Sequence, residues 1–132
     1  MTSLDQDQFD VGTVAPSHRH LQRRHVRDDE PFLLADVYVD ERISDLIPEE
    51  HFTTTTAMRL VSDLPGVKVA DAYQVLTIDG ADMETASQLE IPLSHPVPKV
   101  QRQALDDKGT LILVAKGIYR GDKVRFGMKL LS

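Results

Sequence analysis

Ten consecutive residues, His18 to Arg27, hold four arginines and three histidines and no acid. The whole chain carries 15 Lys and Arg against 21 Asp and Glu, a formal net charge of −6. Outside this stretch the balance is 11 basic to 21 acidic. An island of positive potential on an acidic chain suits capture of a small anion, whereas a nucleic-acid surface would spread basic charge over a whole face. Alternate side chains of a β-strand share a face. That parity puts Arg19, Leu21, Arg23, His25 and Arg27 on one side and His18, His20, Gln22, Arg24 and Val26 on the other. The arginine fork matches a carboxylate or phosphate, and a protonated imidazole adds two donors. Arg23 and His25, on neighbouring rungs of one face, are the expected grip. The competing reading is a solvated face paired with Asp28, Asp29 or Asp36, where each pair is worth only ~0–1 kcal/mol. His18 and His20 also share a face, but a metal needs a third ligand and His25 has the wrong parity, so no metal is expected.

Other chemistries find little support. With no cysteine, disulfides, thiolate metal sites and a cysteine nucleophile are excluded together. No Ser-His-Asp set follows from spacing and no glycine-rich phosphate loop is present, so neither a cofactor nor a catalytic residue is expected. Aromatics make up 5% of the chain, with no tryptophan, too few for a platform that stacks nucleic-acid bases. No apolar run approaches the ~20 residues of a membrane span. The acidic start, Met1 to Asp7, has no apolar stretch like that of a signal peptide. A cytoplasmic location is expected.

The elements that must position these side chains follow in order. At 132 residues the chain is one domain, able to bury roughly two-thirds of its unfolded surface. Residues 1–17 are polar and turn-rich and read as a linker or frayed end, with a short strand expected at Val11–Val14. The basic strand ends at Asp28-Asp29-Glu30-Pro31, and Phe32–Asp40 forms a hairpin with it. Glu41–Ile47 is a helical turn that stops before Pro48. Thr53–Leu64 reads as the longest helix, capped by Thr53 or Thr54 and closed by Pro65-Gly66. Val67–Ile78 is a strand turned by Asp79-Gly80, and on it Tyr73 and Gln74 are both candidates to line a pocket. Asp82 caps a helix to Leu89 with Met83, Ala86 and Leu89 inward. Val97–Leu105 and Thr110–Tyr119 are strands joined at Asp106–Gly109. Arg120-Gly121-Asp122 then turns into a last strand, Lys123–Leu131. About six strands, mostly hairpin-linked, with two or three short helices give an α+β class with an antiparallel sheet.

Gly117-Ile118-Tyr119-Arg120-Gly121-Asp122-Lys123-Val124-Arg125-Phe126 resembles the closing motif of the UTRA domain. That domain is the effector-binding half of GntR-type transcription regulators of the histidine-utilisation-repressor subfamily. Asp28-Asp29-Glu30-Pro31 resembles the family's Asp-Gly-Glu-Pro turn, with Asp29 in place of glycine. Gly66-Val67, then Ala81-Asp82, Ala86, Leu89 and Ile91-Pro92, fit in the family's order. The resemblance runs from His18 to Leu131, so residues 18–132 are expected to be the UTRA-like domain.

The resemblance implies a chorismate-lyase-like fold, a homodimer, and a sensor of a small metabolite. It also implies a winged helix-turn-helix that binds operator DNA; none is present in this sequence, so DNA would be reached only through a separate domain. In the family two basic residues on the strand before the Glu-Pro turn grip the anionic part of the effector. Here those positions are Arg23 and His25, the pair chosen by strand parity. The family's tyrosine is Tyr119, which either binds ligand through its hydroxyl or packs. A glutamate common six residues earlier falls at Leu113, which favours an organic acid with an apolar body over a sugar phosphate. Two other readings compete: a chorismate-lyase-like enzyme acting on a small carboxylate, and a dimeric interaction module without ligand.

Overall fold

The computed structural model describes residues 2–125, 127 and 129–131. Its strands are β1 (Thr13–Val14), β2 (His18–Arg27), β3 (Glu30–Asp40), β4 (Asp71–Gly80), β5 (Pro96–Leu105) and β6 (Thr110–Tyr119). They form one sheet in the order β2-β3-β6-β5-β4, and β1 runs parallel to β6. Every other pair is antiparallel. The class is α+β.

The basic stretch is a strand for its whole length. Arg27 pairs with Glu30 across a two-residue loop in which Asp28 and Asp29 both have positive φ, 52° and 64°. Such loops match the twist of the strands they join, and aspartate is among the few side chains that tolerate this backbone. The register slips between His25 and Val26, which leaves Phe32 opposite no residue of β2. This bulge re-aims the strand beside His25. The second hairpin, β5–β6, is closed by Asp106, whose carboxylate accepts from the amides of Lys108 and Thr110, both at 2.9 Å.

Between β3 and β4 lie α1 (Glu41–Ser44), α2 (His51–Thr54) and α3 (Ala57–Ser62). They cover one sheet face, where Phe52, Leu60 and Val61 pack on Val37, Val39, Ala104 and Leu113. The opposite face is covered at one end by α4 (Met83–Leu89), which packs Ala86 and Leu89 with Leu34, Val97 and Ile118. At its other end Phe9 packs with Leu105, Leu111 and Val114. Residues 2–17, expected as a linker or frayed end, thus lie against the sheet. Thr2 bridges to His18, Ala15 is buried, and the short strand falls at Thr13–Val14.

Five expectations need correction. The helix expected over Thr53–Leu64 is two separate turns, because Thr55 and Thr56 are extended (φ −101°, ψ 141° and φ −61°, ψ 151°). The hydroxyls of Thr53 and Thr54 do not cap; they donate back to the carbonyl of Glu50, at 3.2 and 2.8 Å. That competition is characteristic of threonine within a helix. The strand expected at Val67–Ile78 begins only at Asp71, since Val67 and Val69 pack on the core, and it includes Asp79 and Gly80, which pair with Val97 and Pro96. Met83 points outward, 80% exposed, while Thr85, Ala86 and Leu89 turn in. Gly121–Lys123 is a 3-10 turn, and described residues 124, 125, 127 and 129–131 form no strand. Phe126 and Met128 of that expected strand lie outside the described residues. The preceding strand β6 already has β3 on one side and β5 on the other, which leaves no edge for a following hairpin strand. The sixth strand is β1.

Candidate functional site

Under the break between α2 and α3 the sheet is floored by small residues. Arg23 pairs with Ala35, and Ala35 with Gly117; one rung along, Val37 pairs with Ala115 and Ala115 with Arg102. With a glycine and two alanines where neighbouring rungs carry larger side chains, the face is left hollow. A cavity of about 180 Å³ results. Its walls include Arg23 and His25 from β2, Arg102 from β5, Tyr119 from β6 and Thr56 from the α2–α3 break.

The polar chemistry of this cavity is one-sided. Two arginines line it, and no Asp or Glu does among the described residues. The Arg23 guanidinium donates to the carbonyl of Thr55 at 2.9 Å and to that of Phe52. Its Nε is buried without a partner among the described residues. Burial lowers the Arg23 pKa from its usual value, as expected of a cation that lacks a carboxylate to offset desolvation. Burial also lowers the pKa of His25, and the Arg23 charge lowers it further. Both residues would gain from an anion.

Arg102 was not singled out in the sequence. Its Nε donates to Gln74 Oε1 at 2.8 Å, and it forms no ion pair among the described residues. Once the Asp106–Gly109 turn fixes the β5–β6 register, parity alone puts Arg102 on the same face as Ala115. The pairing of β6 with β3 that brings it across from Arg23 is non-local and carries no short-range signal.

The structure brings Arg23, His25 and Tyr119 to one cavity. Tyr119 leans over Gly117, where a Cβ would meet its Cε2 at 3.3 Å. Gln74 reaches this site only through Arg102; it borders a separate, shallow recess with Met58, Ala72 and Tyr73. The Tyr73 side chain has the opposite parity, opposite Gln103 in the register, and does not line the cavity. Leu113 is buried in the core.

The other basic residues of β2 have partners of their own. Arg19 pairs with Glu49 at 2.7 Å and stacks over Phe52, 3.9 Å from the ring centroid. Arg24 bonds the Gln88 carbonyl at 3.1 Å, and Arg27 lies over Phe32 at 5.0 Å. His20 Nε2 meets Asp36 at 2.7 Å with its ring stacked on Tyr38, while His18 is buried with Nε2 3.2 Å from the Leu111 carbonyl. No group of three metal-ligating side chains occurs among the described residues.

The sequence pattern of the UTRA domain matches residues 4–125. The chain belongs to the UTRA domain family. Solved structures with the same fold include a GntR-family transcriptional regulator from Enterococcus faecalis V583, 17% identical, with TM-score 0.73 over 85% of this chain and 80% of that one. The trehalose repressor effector binding domain of Bacillus subtilis is 15% identical, with TM-score 0.74 over 86% of this chain and 78% of that one. The C-terminal domain of the histidine utilization repressor from Pseudomonas syringae pv. tomato is 18% identical, with TM-score 0.72 over 86% and 78%. No match is found among curated proteins. The family and these relatives are transcription-regulator domains, and the UTRA domain described here shares their fold. Among its described residues no helix is long and apolar enough to cross a membrane.

Proposed function

We propose that this UTRA domain binds a small anionic metabolite in the cavity beside Arg23 and thereby controls operator binding by a winged helix-turn-helix on a separate domain. The observation that carries the reading is Arg23, a buried-edge cation whose terminal nitrogens hold only backbone carbonyls and whose Nε has no partner among the described residues. Arg23 and His25 grip the acidic group, Tyr119 closes one side, and Gln74 acts at second hand through Arg102. Tyr73 has no role in this cavity. An organic acid with an apolar body suits the site better than a sugar phosphate: Leu33, Val37 and Val100 line it, and among the described residues no carboxylate is there to accept from sugar hydroxyls. About 180 Å³ is also smaller than the ~300–1,000 Å³ of pockets that hold drug-sized ligands. The site works without cofactor or metal, residues 18–132 supply it, and the role places the protein in the cytoplasm as a homodimer.

A thermal-shift screen over organic acids, amino acids and sugar phosphates tests this. Binding stabilises by RT ln(1 + [L]/Kd), so organic acids should raise Tm and Arg23→Ala should abolish the rise. If no anion stabilises the protein, or the variant responds like wild type, the cavity is not the effector site. Turnover of chorismate by the purified chain would instead support an enzyme. That reading has less behind it, because among the described residues no carboxylate lines the cavity to serve as a general acid.

A further inference from the structure

We infer that the ligand of this cavity is a dianion with acidic groups at both ends, one held by Arg23 and the other by Arg102. The inference rests on the effector-site reading and goes beyond it by naming the substrate class. Arg23 stands on β2 and Arg102 on β5, and both line the same cavity. Between them run β3 and β6, and the rung of Arg102 passes through Ala115 and Val37, so the two Cα positions are three strand spacings of about 4.8 Å apart across the sheet and two residues apart along it. The residues between them on this face are Ala35 and Gly117 on one rung and Val37 and Ala115 on the next, all with short side chains. They floor the one cavity that both arginines line.

Two features separate Arg102 from an ordinary solvated arginine. The carboxamide of Gln74 holds its Nε at 2.8 Å, which restricts the guanidinium without neutralising it. No carboxylate pairs with Arg102 among the described residues, although the chain has 21 acids, and Lys99, on the same strand, pairs with Asp79 at 3.4 Å. Arg23 is likewise bonded only to neutral carbonyls. A ligand with one acidic end would satisfy one of these cations and leave the other without a counter-charge. One with two acidic ends and a short apolar body satisfies both, and its body lies on the alanine and glycine floor.

The test compares straight-chain dicarboxylates (succinate, glutarate, adipate, pimelate) with monocarboxylates of matching length (butyrate, valerate, hexanoate, heptanoate), by calorimetry on the whole chain. The best diacid should bind at least about tenfold tighter than its monoacid. Arg102→Gln should cut that preference to about threefold or less, because it weakens the diacids more than the monoacids. Its unliganded circular dichroism and Tm should match wild type, which separates loss of a contact from loss of fold. Arg23→Ala should weaken both series. If wild type binds monoacids as tightly as diacids, or if Arg102→Gln weakens both equally, the dianion inference falls and the Arg23 site stands. If wild type binds neither series, both readings fall.

Discussion

Arg23 on β2 donates to the carbonyl of Thr55 at 2.9 Å, so the residue proposed to grip the effector also holds the break between α2 and α3. Its second terminal nitrogen meets the carbonyl of Phe52, whose ring is buried in the main core. The two carbonyls belong to the end of α2, where helix carbonyls lose their intrahelical partners. Arg23 thus caps a helix and faces a cavity with the same guanidinium.

Arg23→Ala should for that reason cost stability as well as binding. Removing a donor from partly buried carbonyls costs about 1–3 kcal/mol, read as a lower urea midpoint with unchanged m-value. Arg23→Lys keeps the charge but cannot reach both carbonyls with a planar fork. It should recover part of the anion response and less of the stability. A variant with normal stability would show that the carbonyl bonds contribute nothing, and would disconnect the site from α2.

What could be read from sequence, and what could not, divides along this same contact. Period-two alternation placed Arg23 and His25 on one face of β2, and burial follows it in the middle of the strand: Arg19, Leu21, Arg23 and His25 are half-buried while His20, Gln22, Arg24 and Val26 are exposed. At the two ends His18 is buried and Arg27 exposed, against the pattern. The hairpin was legible because its turn is local. The α2–α3 break was not, because Ala57, Met58, Leu60, Val61 and Leu64 keep a helical stripe through which four threonines hide the interruption. Yet it is that interruption which frees the Thr55 carbonyl for Arg23 and brings Thr56 to the cavity wall. Local rules fail most often where a site is built. Arg102 escaped notice for a different reason: nothing in Pro98-Lys99-Val100-Gln101-Arg102 marks one cation above another until β6 is laid between β3 and β5.

His25 should make stability and binding respond to pH in opposite directions. Its folded pKa lies below the ordinary 6.5, first through burial and then through the Arg23 charge. A depressed histidine favours the neutral form in the folded state, so its contribution is fully present above pH 6.5 and is lost as pH falls through the folded value. Acidification therefore weakens the empty domain. A bound carboxylate opposes that shift and raises the His25 pKa from its value in the empty domain, so binding takes up a proton and tightens as pH falls through the His25 titration. Calorimetry in buffers of differing ionisation enthalpy should detect that uptake, and His25→Gln should remove it. Affinity that is flat with pH in the wild type would exclude His25 from the anion's contacts.

Ala35→Leu tests the floor. Ala35 lies between Arg23 and Gly117 in the register, so a leucine there projects into the space the ligand is proposed to occupy. Filling an existing hollow avoids most of the 1–3 kcal/mol or so that overpacking a dense core costs. Tm without ligand should stay within a few degrees of wild type, about 1 kcal/mol, while the organic-acid response disappears. A variant that still binds would place the ligand elsewhere.

The proposed homodimer has a natural seam at β4. This strand is ten residues long, pairs only with β5 among the described residues, and is exposed throughout. Val75, Leu76 and Ile78 are 52%, 48% and 65% exposed. A long apolar edge is a template for another strand unless something covers it. A second copy can do so about a two-fold axis normal to the sheet, which preserves faces and therefore pairs residues of like parity. Centring that axis on Leu76 sets Val75 opposite Thr77 and Gln74 opposite Ile78, and keeps Asp79 away from Asp71 of the other copy. Centring it on Val75 would bring those two acids together. Light scattering after size-exclusion chromatography should then give twice the 14.8 kDa chain mass. Leu76→Lys puts two ammonium groups face to face at the axis and should give the monomer with its fold intact by circular dichroism. The same charge at Met83, 80% exposed on α4, should leave the dimer unchanged. A dimer indifferent to Leu76→Lys would move the seam off β4, and because Gln74 lies on that strand, would also separate dimerisation from the arginine that Gln74 holds.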